Sequence, residues 1–248
     1  MKILTWNVNG IRARQAELAT LIGAEQPDIL CLQEIKAAPD KVPELLVAAG
    51  GYWCYWHGLG GYSGVALLLS QEFCADRPQF THPAFDREQR IVAADLGHLT
   101  VASVYVPNGG KDYPAKIEFL AALVAWAGET KRAGRALVLC GDLNVAREER
   151  DVHPKERKPN QIGTRPEERA LLSGLLGVDL VDTARVLDPD NDELFTYWAP
   201  WRNLRQRNIG WRIDYVLASS SVAARAARTA SMREFGTSDH APVLASFA

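Results

Sequence analysis

RIVAADLGHLTVASVYV, residues 90–106, decides the fold class. Two apolar runs, residues 90–96 and 99–106, are separated only by Gly97 and His98 and read as an antiparallel hairpin. Outward from this hairpin, short apolar or β-branched runs at residues 2–6, 28–33, 64–69, 135–140, 213–217 and 242–247 predict further strands. Helical periodicity falls between them, at residues 12–25, 114–131 and 166–174, the last two opening with proline in the first turn. Strands that outnumber the helices, some of them joined by tight turns, exclude strict strand–helix alternation. The class is α/β with a partly antiparallel sheet.

The 248 residues can bury a large core, and no linker or repeat divides them, so one domain over 1–248 is expected. With 47% hydrophobic and 23% charged residues, neither a disordered nor a fibrous chain is indicated. The apolar start is too brief for a signal segment or a membrane span, which predicts a cytoplasmic protein that does not enter membranes. Four cysteines lack CxxC spacing, and Cys31 and Cys140 lie inside apolar runs, so buried thiols are expected and zinc is not. A net charge of −2 excludes a broadly basic nucleic-acid surface. Local basic rims remain, one made by Arg202, Arg205, Arg207 and Arg212, another by His153, Lys155, Arg157 and Lys158. The polar stretch 146–165 is long for a structureless connection and reads as either a functional or a mobile loop.

Chemistry-bearing residues gather where apolar runs begin or end, in the segments around Asn7 and Asn9, Glu34, Asp142 and Asn144, Asp214, and Asp239 and His240. Singly, each is an ordinary turn former or helix cap. Together they form an oxygen-rich donor set with one histidine and no cysteine, suited to a hard cation such as Mg²⁺ or Mn²⁺. Phosphodiester hydrolysis needs such a cation, a group to activate water, and donors for developing negative charge.

The words LTWNVNG (4–10), LQEIK (32–36), YVPNGG (105–110), GDLN (141–144), GWRIDYVL (210–217) and SDHAPV (238–243) resemble the successive signatures of the exonuclease III family of abasic endonucleases. That family lies in the endonuclease/exonuclease/phosphatase superfamily. The resemblance implies a four-layer α/β/β/α sandwich of two mixed β-sheets flanked by helices, with the site at one end. It implies Glu34 as the principal metal ligand, Asn9 and Asp239 near the ion, and Asn7 organising the site. Asp142 would orient or deprotonate water with Asn144 beside it, His240 would contact the scissile phosphate held by Asp214, and Tyr105 would donate its phenol there. Whether Asp142 or His240 is the general base stays open at this level. Asn9 stands where relatives vary between Asp and Asn, which removes one negative charge from the ion's surroundings.

Fold analogy does not choose among DNA, RNA, lipid or inositol phosphate substrates. Aromatic residues Phe195, Tyr197, Trp198, Trp201 and Trp211 near the arginine cluster suit stacking beside phosphate contacts. By resemblance, Tyr197, Trp211 and Ile213 match an apolar pocket for a deoxyribose without its base. Asn108 and Lys111 would contact DNA, and Trp201 would reach a groove. Lys111 and Trp201 depart from the side chains of some relatives. The expected activity is hydrolysis 5′ to an abasic site to leave a 3′-hydroxyl, with 3′-to-5′ exonuclease or 3′-phosphodiesterase activity, on double-stranded DNA carrying abasic sites or blocked 3′ ends, by a monomer. The alternatives are another metal-dependent phosphodiesterase of the superfamily and a catalytically silent DNA-binding relative.

Overall fold

A computed structural model describes residues 1–47 and 50–248. The first sheet holds β1 (Lys2–Asn7), β2 (Ile29–Gln33), β3 (Tyr52–His57), β4 (Val65–Ser70), β11 (Ala226–Ser231) and β12 (Val243–Phe247), in the order β11-β12-β1-β2-β4-β3. The second holds β5 (Gln79–Thr81), β6 (Ile91–Asp95), β7 (Leu99–Tyr105), β8 (Ala136–Asp142), β9 (Leu180–Asp182) and β10 (Asp214–Ser219), in the order β5-β6-β7-β8-β10-β9. Among the described residues only β1 with β2 and β7 with β8 run parallel, each pair bridged by a crossover helix, α1 (Gln15–Glu25) and α3 (Tyr113–Arg132). The expected hairpin is present: β6 and β7 are antiparallel, turning at Gly97 with φ +79°.

The sheets pack face to face through Ile3, Cys31, Leu67, Val101, Val138, Cys140 and Val243. The outer face of the first sheet is covered by Leu18 and Leu21 of α1 against Trp6, Leu30 and Leu32. Outside the second, Leu120 and Leu123 of α3 and Leu172 and Leu175 of α4 (Pro166–Gly177) pack on Leu137 and Leu139. This is the expected four-layer sandwich. It explains why β7 is buried at every position: a strand covered on both faces shows no alternation. Helices α2 (Glu44–Val47), α5 (Thr183–Leu187) and α6 (Ser220–Ala223) are short connections. No helix of the described residues is long and apolar enough to cross a membrane.

The polar segment 146–165 is tied down at several points rather than free. It holds two 3-10 turns, Glu149–Asp151 and Pro154–Glu156. Ala146 N donates to Gly163 O at 2.8 Å, His153 N to Gly210 O at 2.9 Å, and Gly163 N to both Glu168 carboxylate oxygens. Arg212 closes this region from beneath, pairing with Asp151 and Asp182 while only 2% exposed.

Candidate active site

Parallel pairing brings the functional strand ends to one place. Asn7 ends β1 opposite Gln33, so the following Glu34 emerges beside it. In the second sheet Tyr105 pairs with Asp142 across β7 and β8, and Asp214 pairs with Asp142 across β8 and β10. Residues 238–240 lead into β12, which lies antiparallel to β1 and so returns to the same end. Gly141, at φ +144°, is required by the second sheet itself, because a Cβ there would lie 1.9 Å from Val104 O. Asn9, Glu34 and Asn144 adopt φ of 44°, 49° and 50°, a left-handed conformation that asparagine tolerates and glutamate resists. Of the three, Glu34 carries the greatest backbone strain.

One hydrogen-bond network links them. Asn7 Nδ2 donates to Glu34 Oε1 at 3.1 Å and Asp142 Oδ2 at 2.9 Å, while Tyr105 Oη donates to Glu34 Oε1 at 2.7 Å. Asn144 donates to Asp142 from its backbone N–H, 2.9 Å, and from Nδ2, 3.3 Å. Asn9 Nδ2 donates to Asp239 Oδ1 at 2.9 Å. His240 Nδ1 sits 2.9 Å from Asp214 Oδ2, and its Nε2 lies 3.8 Å from Asp142 Oδ2. Thr196 Oγ1 donates to the same Asp214 oxygen at 2.6 Å and accepts from the Ile213 and Asp214 N–H groups.

Burial makes the charges interdependent. It would push the His240 imidazole down, but the Asp214 and Asp142 carboxylates override it and lift the ring to about 10, which favours the imidazolium form. Asp142 is raised above the usual carboxylate range by burial, reinforced by Asp214 and Glu34 and opposed by His240 and Asn7. Burial would raise Glu34 too, yet hydrogen bonds from Lys36, Asn7 and Tyr105 hold it below its ordinary value. Burial and the neighbouring Glu34 and Asp142 charges raise the Tyr105 phenol, which keeps its proton.

The donors fit a hard cation. Lys36 Nζ stands 2.7 Å from Glu34 Oε2 and 2.6 Å from Asn9 Oδ1, so these two oxygens already converge on a single positive charge. Asp142, Asp214 and His240 also bring possible ligand atoms within 4.8 Å of one another. That trio is the poorer seat, since the Asp214–His240 bond and the positive imidazole occupy it. The oxygen set of Glu34, Asn9 and Asp239 suits Mg²⁺-like chemistry better than zinc.

Tyr197, Trp211 and Ile213 are also brought together. They pack with Ala146 and Val152, and Tyr197 rests on the His240 ring with centroids 4.8 Å apart. Asn108 and Lys111 lie on the loop after β7, Lys111 facing the Tyr62 ring at 5.9 Å. Trp201 is apart from the apolar cluster, 58% exposed on the loop after Ala199. Phe195 and Trp198 belong to the core rather than to a stacking surface.

The Trp201-side basic rim is half structural. Arg212 is consumed by buried carboxylates, and Arg205 stacks on Trp198 while donating to the carbonyls of Arg233, Phe235 and Ser238. Arg202 and Arg207 stay exposed.

Three further residues contribute that the sequence does not single out. Lys36 was visible inside LQEIK, and Thr196 inside the aromatic run. Lys116, fully buried and paired with Glu168, donates to the Asn144 carbonyl at 2.7 Å and the Asn108 carbonyl at 3.4 Å, holding both loops. Its signal was a lysine on the inward face of a helix.

Residues 4–240 match the Endonuclease/Exonuclease/phosphatase family. The chain is 34% identical to "Recombination repair protein 1" of Drosophila melanogaster over 98% of its own length but only 36% of that protein's. It is 32% identical to "Exodeoxyribonuclease" of Bacillus subtilis, with 98% of both chains covered. Among solved structures, a 3′ phosphatase from Neisseria bound to a product DNA hairpin superposes with TM-score 0.89 at 32% identity, covering 100% of this chain and 99% of that one. An AP endonuclease from Archaeoglobus fulgidus does so with TM-score 0.89 at 29% identity and the same coverage.

Proposed function

Because the chain belongs to the endonuclease/exonuclease/phosphatase family, matched over residues 4–240, we propose that it is a DNA repair nuclease. In this reading it hydrolyses the phosphodiester 5′ to an abasic site, leaving a 3′-hydroxyl, and trims blocked 3′ ends as a cytoplasmic monomer. The observation that carries it is His240 Nε2 set 3.8 Å from the buried Asp142 carboxylate, with its ring against that of Tyr197, which begins an apolar wall. Two structural relatives, an AP endonuclease and a 3′ phosphatase bound to product DNA, support the same substrate class.

Glu34, Asn9 and Asp239 would hold Mg²⁺, with Mn²⁺ as a substitute, and Asn7 would keep Glu34 and Asp142 in register. When bound, the cation supplies charge neutralisation for non-bridging phosphate oxygens. His240 donates from Nε2 to a phosphoryl oxygen, its ring oriented by Asp214 and Thr196. Asp142 takes the proton of the attacking water; an imidazolium has no free lone pair for that task. Asn144 and Asn7 fix the Asp142 oxygens. Tyr105, holding its proton, donates to the same phosphate, and Asn108 and Lys111 contact neighbouring phosphates. The wall of Tyr197, Trp211 and Ile213 accepts a bare deoxyribose and leaves no room for a base.

The deciding experiment uses a duplex with one synthetic abasic site. Cutting on its 5′ side with a 3′-hydroxyl product is expected with Mg²⁺, loss of cutting with EDTA, and recovery on re-addition of metal. Metal-independent cutting, or none, sinks the reading. A sharper test of the wall is Trp211→Ala, expected to reduce abasic cleavage on the order of 10-fold or more while nonspecific DNA binding stays within about 2-fold. Equal losses in both assays would remove Trp211 from the pocket.

A further inference from the structure

Behind Tyr105 the catalytic network borders a second cavity. The Arg90 guanidinium lies 4.8 Å from the Tyr105 ring centroid and 5.3 Å from that of Tyr62. Beyond it opens a space of about 440 Å³ lined by Tyr62, Phe85, Arg90, Asn108, Lys111 and Phe119, among others. This volume falls within the usual range for small-molecule sites.

Its chemistry is divided. Phe85 and Phe119 meet edge to face, centroids 5.3 Å apart, and with Ala122 form an apolar side. Lys111 and Arg90 form a cationic side, while Glu88 and Glu118 supply acceptors. Arg90 is 3% exposed; Nε donates to Glu88 Oε2 at 2.8 Å and Nη2 to Tyr62 Oη at 2.7 Å. Nη1 is buried and has no hydrogen-bond partner among the described residues. A buried donor left unpaired is costly, and a guanidinium more so. The dry voids left by imperfect packing are apolar, whereas this cavity has a cationic wall and carboxylates along its edge.

A flat ring system for the aromatic side, an anion for the guanidinium and lysine, and polar edges for the carboxylates describe one ligand class. We infer that this cavity binds a nucleoside monophosphate unit, its base against Phe85 and its phosphate toward Arg90 and Lys111. The unit is either free nucleotide or the intact 3′-terminal residue of a DNA strand. Only the second source rests on the 3′-trimming activity proposed above.

Binding is measured first without divalent metal, by calorimetry or NMR titration. Free 2′-deoxyadenosine 5′-monophosphate is expected to bind saturably, on the order of 10-fold tighter than inorganic phosphate. Ala122→Trp, which fills the apolar side, should weaken the nucleotide about 10-fold while abasic nicking is retained. Phe85→Ala should weaken the nucleotide and leave inorganic phosphate unchanged, and it decides the matter should the tryptophan variant fail to fold. A nucleotide that binds no tighter than phosphate, or indifferently to both substitutions, overturns the proposal. Slowing of abasic nicking by free nucleotide, abolished in Ala122→Trp, assigns the free source; slower removal of an intact 3′ nucleotide by that variant assigns the chain terminus. Nucleotide binding by a protein that cannot nick abasic DNA would leave the cavity standing and the proposed function fallen.

Discussion

His240→Ala is expected to lower turnover on an abasic duplex by about 10² to 10⁴-fold while affinity for the DNA stays nearly unchanged. The size follows from what the ring does in the site. It is 4% exposed, so water does not readily replace it as a donor, and its positive charge is held in place by Asp214, with Thr196 fixing that carboxylate. Alanine removes this charge and leaves Asp142 and Asp214 as two buried carboxylates with no imidazolium between them. The loss belongs in kcat, because the phosphate gains most from the donor as negative charge develops. Single-turnover rates with saturating Mg²⁺ separate chemistry from binding. Near-normal turnover would strip His240 of its role, and a matching collapse in DNA affinity would make it a binding residue instead.

The second large effect is on stability. Arg212 donates to both oxygens of Asp151, at 2.8 and 3.3 Å, and both of Asp182, at 3.0 and 2.7 Å. Burial would raise the Asp151 carboxyl, yet Arg212 holds it below the usual range. Arg212→Met leaves Asp182 with the Arg185 backbone N–H but no cation, and Asp151 with the Arg185 guanidinium and the Glu148 N–H, so a loss of about 3–5 kcal/mol is expected. For a chain of this size that is a fall in Tm of roughly 6–20 °C. Adding Asp182→Asn should restore part of it, since the charge left behind would be gone. Calorimetry on the three proteins checks this. A single-variant loss under about 1 kcal/mol would mean water or Arg185 satisfies both acids, and that this clamp does not anchor Trp211 and Ile213.

Strands read as strands from sequence where both faces are covered or a tight turn marks the end. Residues 99–106 and 64–69 are continuous apolar runs, and Gly97 with His98 fixes the hairpin. β3, with the sequence YWCYWH, is not legible as a strand because an aromatic edge strand half-exposed along its length shows neither alternation nor a purely apolar run. β11, AARTAS, has weak strand propensity and is a strand because β12 supplies its pairing. β5 and β9, at three residues each, are too short to leave a pattern. α1 begins at Gln15 rather than residue 12, the chain first turning through Ile11 to Arg14.

The candidate site was legible because its polar residues interrupt apolar runs in recognisable words. Arginine roles were not. Arg202 and Arg212 sit in one basic stretch, yet one faces solvent and the other closes a buried cluster, a difference set by acids at 151 and 182 that lie far away in sequence. The Arg90 cavity was equally hidden, since its walls come from separate loops and a helix.

Asn7, Glu34 and His240 ride on one sheet, Tyr105, Asp142 and Asp214 on the other, with Gln33 of the first bonded to Ser103 of the second at 3.1 Å. Neither layer holds a working centre by itself. Assembly of the candidate site therefore depends on residues as far apart as 7 and 240 and on β12 pairing with β1, so a polypeptide that stops short of residue 240 is expected to lack it.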